Sequence, residues 1–223
     1  PGTVEVRGRG NSTWSTSEFR KKPYQIKTEK KIDLLGMGKA KTWCLIKDGG
    51  YFVGQKLGLD LGLALGLSCT PDSRFVDVYM NGEYIGCYTL TEKVQVKKER
   101  VEITDLEEIV EETGITPETD LTGGYLMEID NYAGDPIVLH TNGNSITVKS
   151  PENLDSTATK DNHYSYIYNL MDDLFTAIYG DGKMKDGSSY LDHIDIESFV
   201  RYYWHQELIE NMDCGIGSTY LYK

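Results

Sequence analysis

The stretch RFVDVYMNGEYIGCYTL, residues 74–90, determines the fold class predicted for the N-terminal part of the chain. β-Branched and aromatic residues stand on both sides of Asn81-Gly82, and such residues favour strands. Asn-Gly readily adopts the positive φ angles of a two-residue turn. The stretch therefore predicts a β-hairpin, with strands at 74–80 and 83–90.

Further strands are predicted on both sides of this hairpin. Val4 to Arg9 alternates, and residues 22–27 carry Pro23 near their start, which the start of a strand tolerates. A second hairpin is indicated around Asn142-Gly143, where two short strand-like runs flank the turn pair. Shorter strands are expected at 124–130 and from Thr219 to the last residue.

Helices are predicted mainly in the last third of the chain. Apolar side chains recur at helical spacing over 164–178 and, less regularly, over 196–212. The leucine-rich stretch 51–67 fits either period, and we interpret it as a helix because leucine and alanine favour helices. Residues 99–120 hold nine acidic residues and one arginine, which indicates an exposed loop or a short helix. The fold class expected from this order is α+β.

Composition and charge restrict the class of protein. The chain has 223 residues, of which 39% are hydrophobic and 26% charged, as in ordinary globular domains. No apolar run approaches the roughly 18 residues that suggest a membrane span. The net charge of −12 argues against broad binding to nucleic acid or anionic membrane. Residues 1–60 nevertheless carry twelve basic against six acidic residues, which fits a solvated basic face or a cradle for a polyphosphate.

The cysteines, the histidines and the search for common catalytic motifs do not point to a particular kind of site. The four cysteines match no zinc spacing, so free thiols are favoured over a disulfide framework. The four histidines show no ligand spacing, and no HExxH, GxSxG or GxxxxGK[ST] motif occurs.

Two segments carry residues suited to chemistry on phosphates. RGRGNSTW (7–14) combines glycines, which let a backbone approach a ligand, with arginines that bind phosphate oxygens; a plain turn is the alternative. The second segment places Asp213 five residues before Ser218 after a predicted helix. Protein kinases place a catalytic Asp and a metal-binding Asn at this separation, because phosphoryl transfer needs a proton acceptor and oxygen ligands for Mg²⁺. A helix C-terminal loop without a catalytic role is the alternative.

Six blocks of sequence, taken in order, resemble the CotH kinase family, named after a spore-coat protein. The blocks are RGRGNSTW (7–14), KKPYQIK (21–27), LLGMGKAKTW (34–43), DSRFVDVYMNGEYIGCYTLTEKVQV (72–96), GGYLMEID (123–130) and YYWHQELIENMDCGIGSTYLYK (202–223).

The resemblance implies a divergent protein-kinase-like, two-lobed fold with a β-rich N-terminal part and a helical C-terminal part. Residues 1–160 would form a β-rich nucleotide-binding lobe with an acidic insertion. Residues 161–223 would begin the helical catalytic lobe, incomplete here, and the two together would make one kinase-like domain. The implied protein is bacterial and secreted, cell-surface or spore-coat associated. It would use ATP with Mg²⁺ or Mn²⁺ to phosphorylate Ser or Thr of extracellular or spore-coat proteins.

The resemblance also assigns roles to individual residues. Asp213 matches the catalytic Asp of the family's N-x-D motif, and Ser218 falls near a metal-binding position, where a hydroxyl is a poorer ligand than an amide oxygen. The expected nucleotide-binding residues are Arg7 and Arg9 at the phosphates, Lys22 and Lys27 at the α- and β-phosphates, and Glu92 orienting a lysine by an ion pair.

The family continues into an aromatic-rich segment whose Asp binds the metal, and the sequence given ends before it. We therefore expect little or no phosphate transfer by residues 1–223 alone.

Two other functions remain open. One is a non-catalytic (pseudokinase) scaffold of a spore coat or extracellular complex. The other is a calcium-binding adhesion or carbohydrate-associated domain that uses the oxygens of residues 128–135. The ligand spacing of an EF-hand loop is not met there, and a plain acidic turn is the alternative.

Overall fold

The computed structural model describes residues 2–10, 12–15, 21–47, 53–130, 134, 137–152 and 164–223. The chain divides into two compact units, Pro1–Val94 and Gln95–Lys223. The described part of each unit contains one antiparallel sheet.

The first unit forms a five-stranded sheet in its described part, in the order β1-β2-β3-β5-β4. The strands are β1 (Val4–Gly8), β2 (Tyr24–Asp33), β3 (Lys39–Ile46), β4 (Ser73–Met80) and β5 (Glu83–Glu92). The predicted hairpin is confirmed as β4 and β5, with φ angles of 52° at Asn81 and 85° at Gly82. These positive angles are the ones that a type I′ turn requires.

One face of this sheet carries the core of the first unit. Trp43, Tyr88 and Leu90 are buried there and pack with Met37, Ala40 and Leu45. Since side chains alternate along a strand, the residues between them lie on the other face.

Among the described residues of this unit, two helices accompany the sheet, α1 (Ser12–Ser15) and α2 (Gly54–Ala64). The helix predicted within 51–67 is confirmed as α2, which lies against β4. Its buried residues are Gly58 and Gly62, whereas Leu57 is 62% exposed. The glycines thus allow the helix backbone to approach its neighbours closely, which the leucine pattern did not indicate.

The second unit forms a four-stranded sheet in its described part, in the order β7-β8-β6-β9. The strands are β6 (Leu126–Ile129), β7 (Val138–Thr141), β8 (Asn144–Ser150) and β9 (Thr219–Tyr222), and the helices are α3 (Leu106–Thr113), α4 (Ser165–Tyr179) and α5 (Ile196–Leu208). A 3₁₀ turn spans Tyr190–His193. The second predicted hairpin is confirmed, with φ angles of 46° at Asn142 and 79° at Gly143.

The core of the second unit lies between its sheet, α3 and α4. Leu139 and Ile146 from the sheet are fully buried with Leu106 of α3 and Ile167 of α4. Strand β9 pairs with β6, so the segment that follows Asp213 is part of this sheet.

The two sheets and five helices of the described residues confirm the α+β class. The two-lobed, kinase-like arrangement remains a prediction, as does the lobe boundary at residue 160, which falls within the undescribed stretch 153–163. The compact units instead divide after Val94. No helix in the described ranges is both long and apolar enough to cross a membrane.

Candidate functional site

Strand register brings Arg7 and Lys27 onto the face of the first sheet that is opposite its core. A continuous cross-strand row runs Arg7, Gln25, Cys44, Thr91 and Ser73, and it alternates with the core residues. Arg7 Nη2 donates to Gln25 Oε1 at 3.0 Å. Lys27 lies two residues from Gln25 on the same strand, so its side chain projects from this face too.

Two further cations act on the same region. Burial raises the pKa of the Cys44 thiol, while the positive charges of Arg9, Lys93 and Arg7 act in the opposite direction. Three cations therefore lie near one buried thiol. We call Arg7, Arg9, Lys27 and Lys93 the basic face.

Sequence reasoning missed Lys93, although it directly follows Glu92. Lys93 lies just beyond the end of β5 at Glu92, and its charge acts on Cys44, a residue of the cross-strand row. Two signals in the sequence point to this lysine: its place after a predicted strand, and its two-residue spacing from Thr91.

The basic face changes from open to buried across the sheet. Arg7 and Lys27 are exposed, and Arg9 and Lys93 are half-buried. Cys44 is only 4% exposed. A ligand held by these cations would therefore meet exposed charged side chains on one side and a buried polar surface at Cys44 on the other.

Lys22 and Gly8 make contacts that sequence reasoning did not foresee. The Lys22 ammonium donates to the carbonyl of Trp14 at 2.6 Å, and the backbone oxygen of Lys22 accepts from Tyr88 OH at 3.0 Å. A Cβ on Gly8 would lie 2.5 Å from the Trp14 ring. In the structure, Gly8 therefore makes room for an indole of its own chain. The nucleotide role of Lys22 remains a prediction.

Glu92 lies opposite Trp43 in the register, on the core side of the sheet. Its Oε2 accepts from the backbone N–H of Asp72 at 2.9 Å. The predicted ion pair with a nucleotide-binding lysine remains a prediction.

Asp213 lies in the turn that joins α5 to β9 in the second unit. Helix α5 ends with Ile209 as its C-cap. Asn211 N donates to Gln206 O at 3.1 Å and Glu210 N to Glu207 O at 3.3 Å, which is the Schellman pattern. Glu210 takes the left-handed position of this motif, with φ of 51°.

The turn continues with bonds to the backbone of Asp213. Asp213 N donates to Asn211 Oδ1 at 3.2 Å, and Asp213 O accepts from Ile216 N at 3.0 Å and from Gly217 N at 3.2 Å. The Asp213 carboxylate is exposed, and no described residue gives it a hydrogen bond or an ion pair. Its backbone is thus held while its oxygens stay available, as a proton acceptor requires.

The far end of the turn is tied to α5 through Thr219. Gly215 N donates to Thr219 Oγ1 at 3.1 Å, and this hydroxyl shares a hydrogen bond of 2.9 Å with Tyr202 OH. The Cys214 thiol reaches the same phenol at 3.8 Å. Burial raises the pKa of Tyr202 to about 12, so the phenol stays protonated at neutral pH.

Replacing Glu210 by glycine is expected to stabilise the protein by about 0.5–1 kcal/mol. A residue with a Cβ pays a steric cost at positive φ that glycine avoids, and the gain is partly offset by the greater freedom of glycine in the unfolded chain. Urea unfolding followed by circular dichroism measures the change. Glu207→Gly, inside α5, is the control and should destabilise by about 1 kcal/mol. A less stable Glu210→Gly protein would contradict the strain argument.

The donor chemistry fits a kinase site only in part. An exposed carboxylate at Asp213 suits both proton transfer and Mg²⁺, whereas the hydroxyl of Ser218 is a weak ligand. Ser218 is exposed and has φ of 53°, and its metal role remains a prediction. No group of three or more His, Cys, Asp or Glu in the described part of the chain could hold a metal ion.

Half of the stretch considered for calcium, 128–135, falls outside the described residues, namely 131–133 and 135. Of its described members, Glu128 forms an ion pair with Lys149, at 2.8 Å between Oε2 and Nζ. That carboxylate already has a partner within its own sheet.

A family model described as CotH kinase protein matches residues 6–223. No curated protein matches the chain.

Proposed function

The chain belongs to the CotH kinase family, and from this premise we propose that it is an atypical protein Ser/Thr kinase. The proposed reaction transfers the γ-phosphate of ATP to Ser or Thr of extracellular or spore-coat proteins. We also propose a bacterial, secreted, cell-surface or spore-coat location. The observation that carries the proposal is the family match over 6–223, which includes both the basic face and the Asp213 turn.

The basic face is the part of the first unit that we propose to hold the phosphates of ATP. Charged donors form short, strong hydrogen bonds with phosphate oxygens, and arginine does so through two donors at once. Arg7 and Lys27 are exposed and project from one face, so their charged ends are available for such bonds. Arg9 and Lys93 add positive charge beside the buried floor at Cys44.

Asp213 is the proposed proton acceptor for the attacking hydroxyl of the substrate protein. Its carboxylate is exposed, and its backbone is held by Asn211, Ile216 and Gly217. Bound Mg²⁺ or Mn²⁺ would neutralise part of the negative charge of the phosphates. We propose that the oxygens of Asp213 and Ser218 bind that ion or lie next to it.

Replacing Lys27 by glutamine is expected to weaken the binding of ATP with Mg²⁺ by about 10- to 100-fold. This range corresponds to one lost hydrogen bond to a charged group. Titration calorimetry on the folded protein measures the dissociation constant, with Mn²⁺ as a second metal.

Lys41→Gln is the matched control. Lys41 is exposed on the neighbouring strand and, by alternation with Thr42, lies on the opposite face. Equal weakening by both variants would mean that only net charge matters, and the basic face would lose its assignment.

The scaffold function makes a different prediction for the same experiment. A pseudokinase scaffold that is folded would show no metal-dependent ATP binding and no transfer by the full-length natural protein. That result would replace the kinase proposal by the scaffold.

A further inference from the structure

Helix α5 buries polar side chains at its C-terminal end and leaves apolar ones exposed. His205 is 8% exposed and Gln206 9%, whereas Trp204 is 57% exposed and Leu208 62%. A buried amide contributes to stability only if its hydrogen bonds are made. The partners of Gln206 therefore indicate why it is buried.

The side chain of Gln206 connects α5 to the turn that carries Asp213. Gln206 Oε1 accepts from Asn211 Nδ2 at 2.6 Å. Asn211 Oδ1 in turn accepts from the backbone N–H of Asp213 at 3.2 Å. Two side chains thus lead from a buried helical position to the backbone of the proposed proton acceptor.

The directions of these hydrogen bonds determine the orientation of the two side-chain amides, Gln206 and Asn211. A bond of 2.9 Å joins Gln206 Nε2 to His205 Nδ1, and a neutral imidazole accepts there when its proton is on Nε2. With Nε2 used by His205, only Oε1 of Gln206 faces Asn211. Asn211 must then present Nδ2 to Gln206, which leaves Oδ1 for the N–H of Asp213.

We propose that Gln206 is a positioning residue for Asp213, acting through the amide of Asn211; this inference rests on the proposed function. By accepting from Asn211 Nδ2, Gln206 selects the amide rotamer whose oxygen closes the turn on Asp213. Without that acceptor, the Asn211 amide is free to rotate and to present its NH₂ group to the N–H of Asp213, which breaks the bond. The carboxylate would then lose its fixed placement while keeping its charge.

The test compares three variants of the full-length natural protein. Gln206→Met keeps the length of the side chain and removes both bonds. Gln206→Glu keeps an oxygen that faces Asn211. Glu207→Met changes the exposed neighbour on the same helix and is the control.

Steady-state transfer from ATP to a Ser/Thr protein substrate is the first readout. Gln206→Met is expected to lower kcat by about 10-fold or more with KM for ATP within about twofold, since misplacement by about 1 Å can cost 100-fold. Gln206→Glu should retain kcat within about threefold, and Glu207→Met should match the unmodified protein. A kcat unchanged in folded Gln206→Met overturns the inference, as does an equal loss in Gln206→Glu and Gln206→Met.

Amide hydrogen exchange at Asp213 is the second readout, and it does not depend on activity. Gln206→Met should speed this exchange by about 10-fold, with no change in Glu207→Met. If the unmodified protein transfers no phosphate, the proposed kinase function fails, and the exchange rates alone decide whether Gln206 positions the turn. Equal exchange rates in Gln206→Met and the unmodified protein would refute the positioning.

Discussion

Asp213→Asn is expected to lower the rate of phosphate transfer by about 10²- to 10⁴-fold, the usual contribution of a positioned general base. Asparagine has nearly the same shape as aspartate but does not accept a proton at neutral pH. The turn itself should persist, because its bonds to residue 213 use the backbone N–H and carbonyl. The variant therefore removes the chemistry with little change in structure.

The measurement is transfer of labelled γ-phosphate from ATP to a Ser/Thr substrate by the full-length natural protein. Glu210→Gln is the matched control, because it removes an equal charge from an exposed residue of the same turn. We expect its rate to stay within about twofold, since surface changes away from the reacting atoms have small effects. Transfer that survives in Asp213→Asn would show that another group accepts the proton.

Trp43→Ala is expected to destabilise the first unit by about 3–5 kcal/mol, the range for removing a large aromatic side chain from a core. Trp43 is completely buried on β3, the central strand of the sheet. Its neighbours in the register are Ile26 on β2 and Glu92 on β5, so a cavity there would affect three strands.

Urea unfolding followed by circular dichroism measures this loss, read from the transition of the first unit if the two units unfold separately. Leu35→Ala is the control, because Leu35 is 58% exposed, and its effect should stay within about 0.5 kcal/mol. A loss of less than about 1 kcal/mol in Trp43→Ala would mean that the site collapses around the vacancy.

Local chemistry explains which elements could be predicted from sequence. The turns at Asn81-Gly82 and Asn142-Gly143 depend on two adjacent residues that tolerate positive φ, so both hairpins were predicted and are confirmed. Helix α4 was predicted from a regular apolar stripe, and Ile167 and Met171 of that stripe are buried. The family was recognised from the order of several long blocks and is confirmed over residues 6–223.

Burial in α2 and α5 could not be predicted from periodicity. The apolar stripes of both helices contain exposed residues, such as Leu57 and Leu208, while Gly62 and Gln206 are buried. Periodicity describes one helix alone, whereas burial depends on the neighbours that the rest of the chain supplies.

The sequence by itself predicted most of the strands and helices, both hairpin turns, the α+β order and the family. Only the tertiary structure decided which side chains share a site. Strand register placed Arg7 and Lys27 on one face and Glu92 on the other, since a shift of one residue would exchange the faces. Packing against the rest of the chain likewise buried Gln206, which contacts Asn211 across the turn. Both outcomes depend on contacts with residues elsewhere in the chain, and a local sequence pattern does not specify the geometry of such contacts.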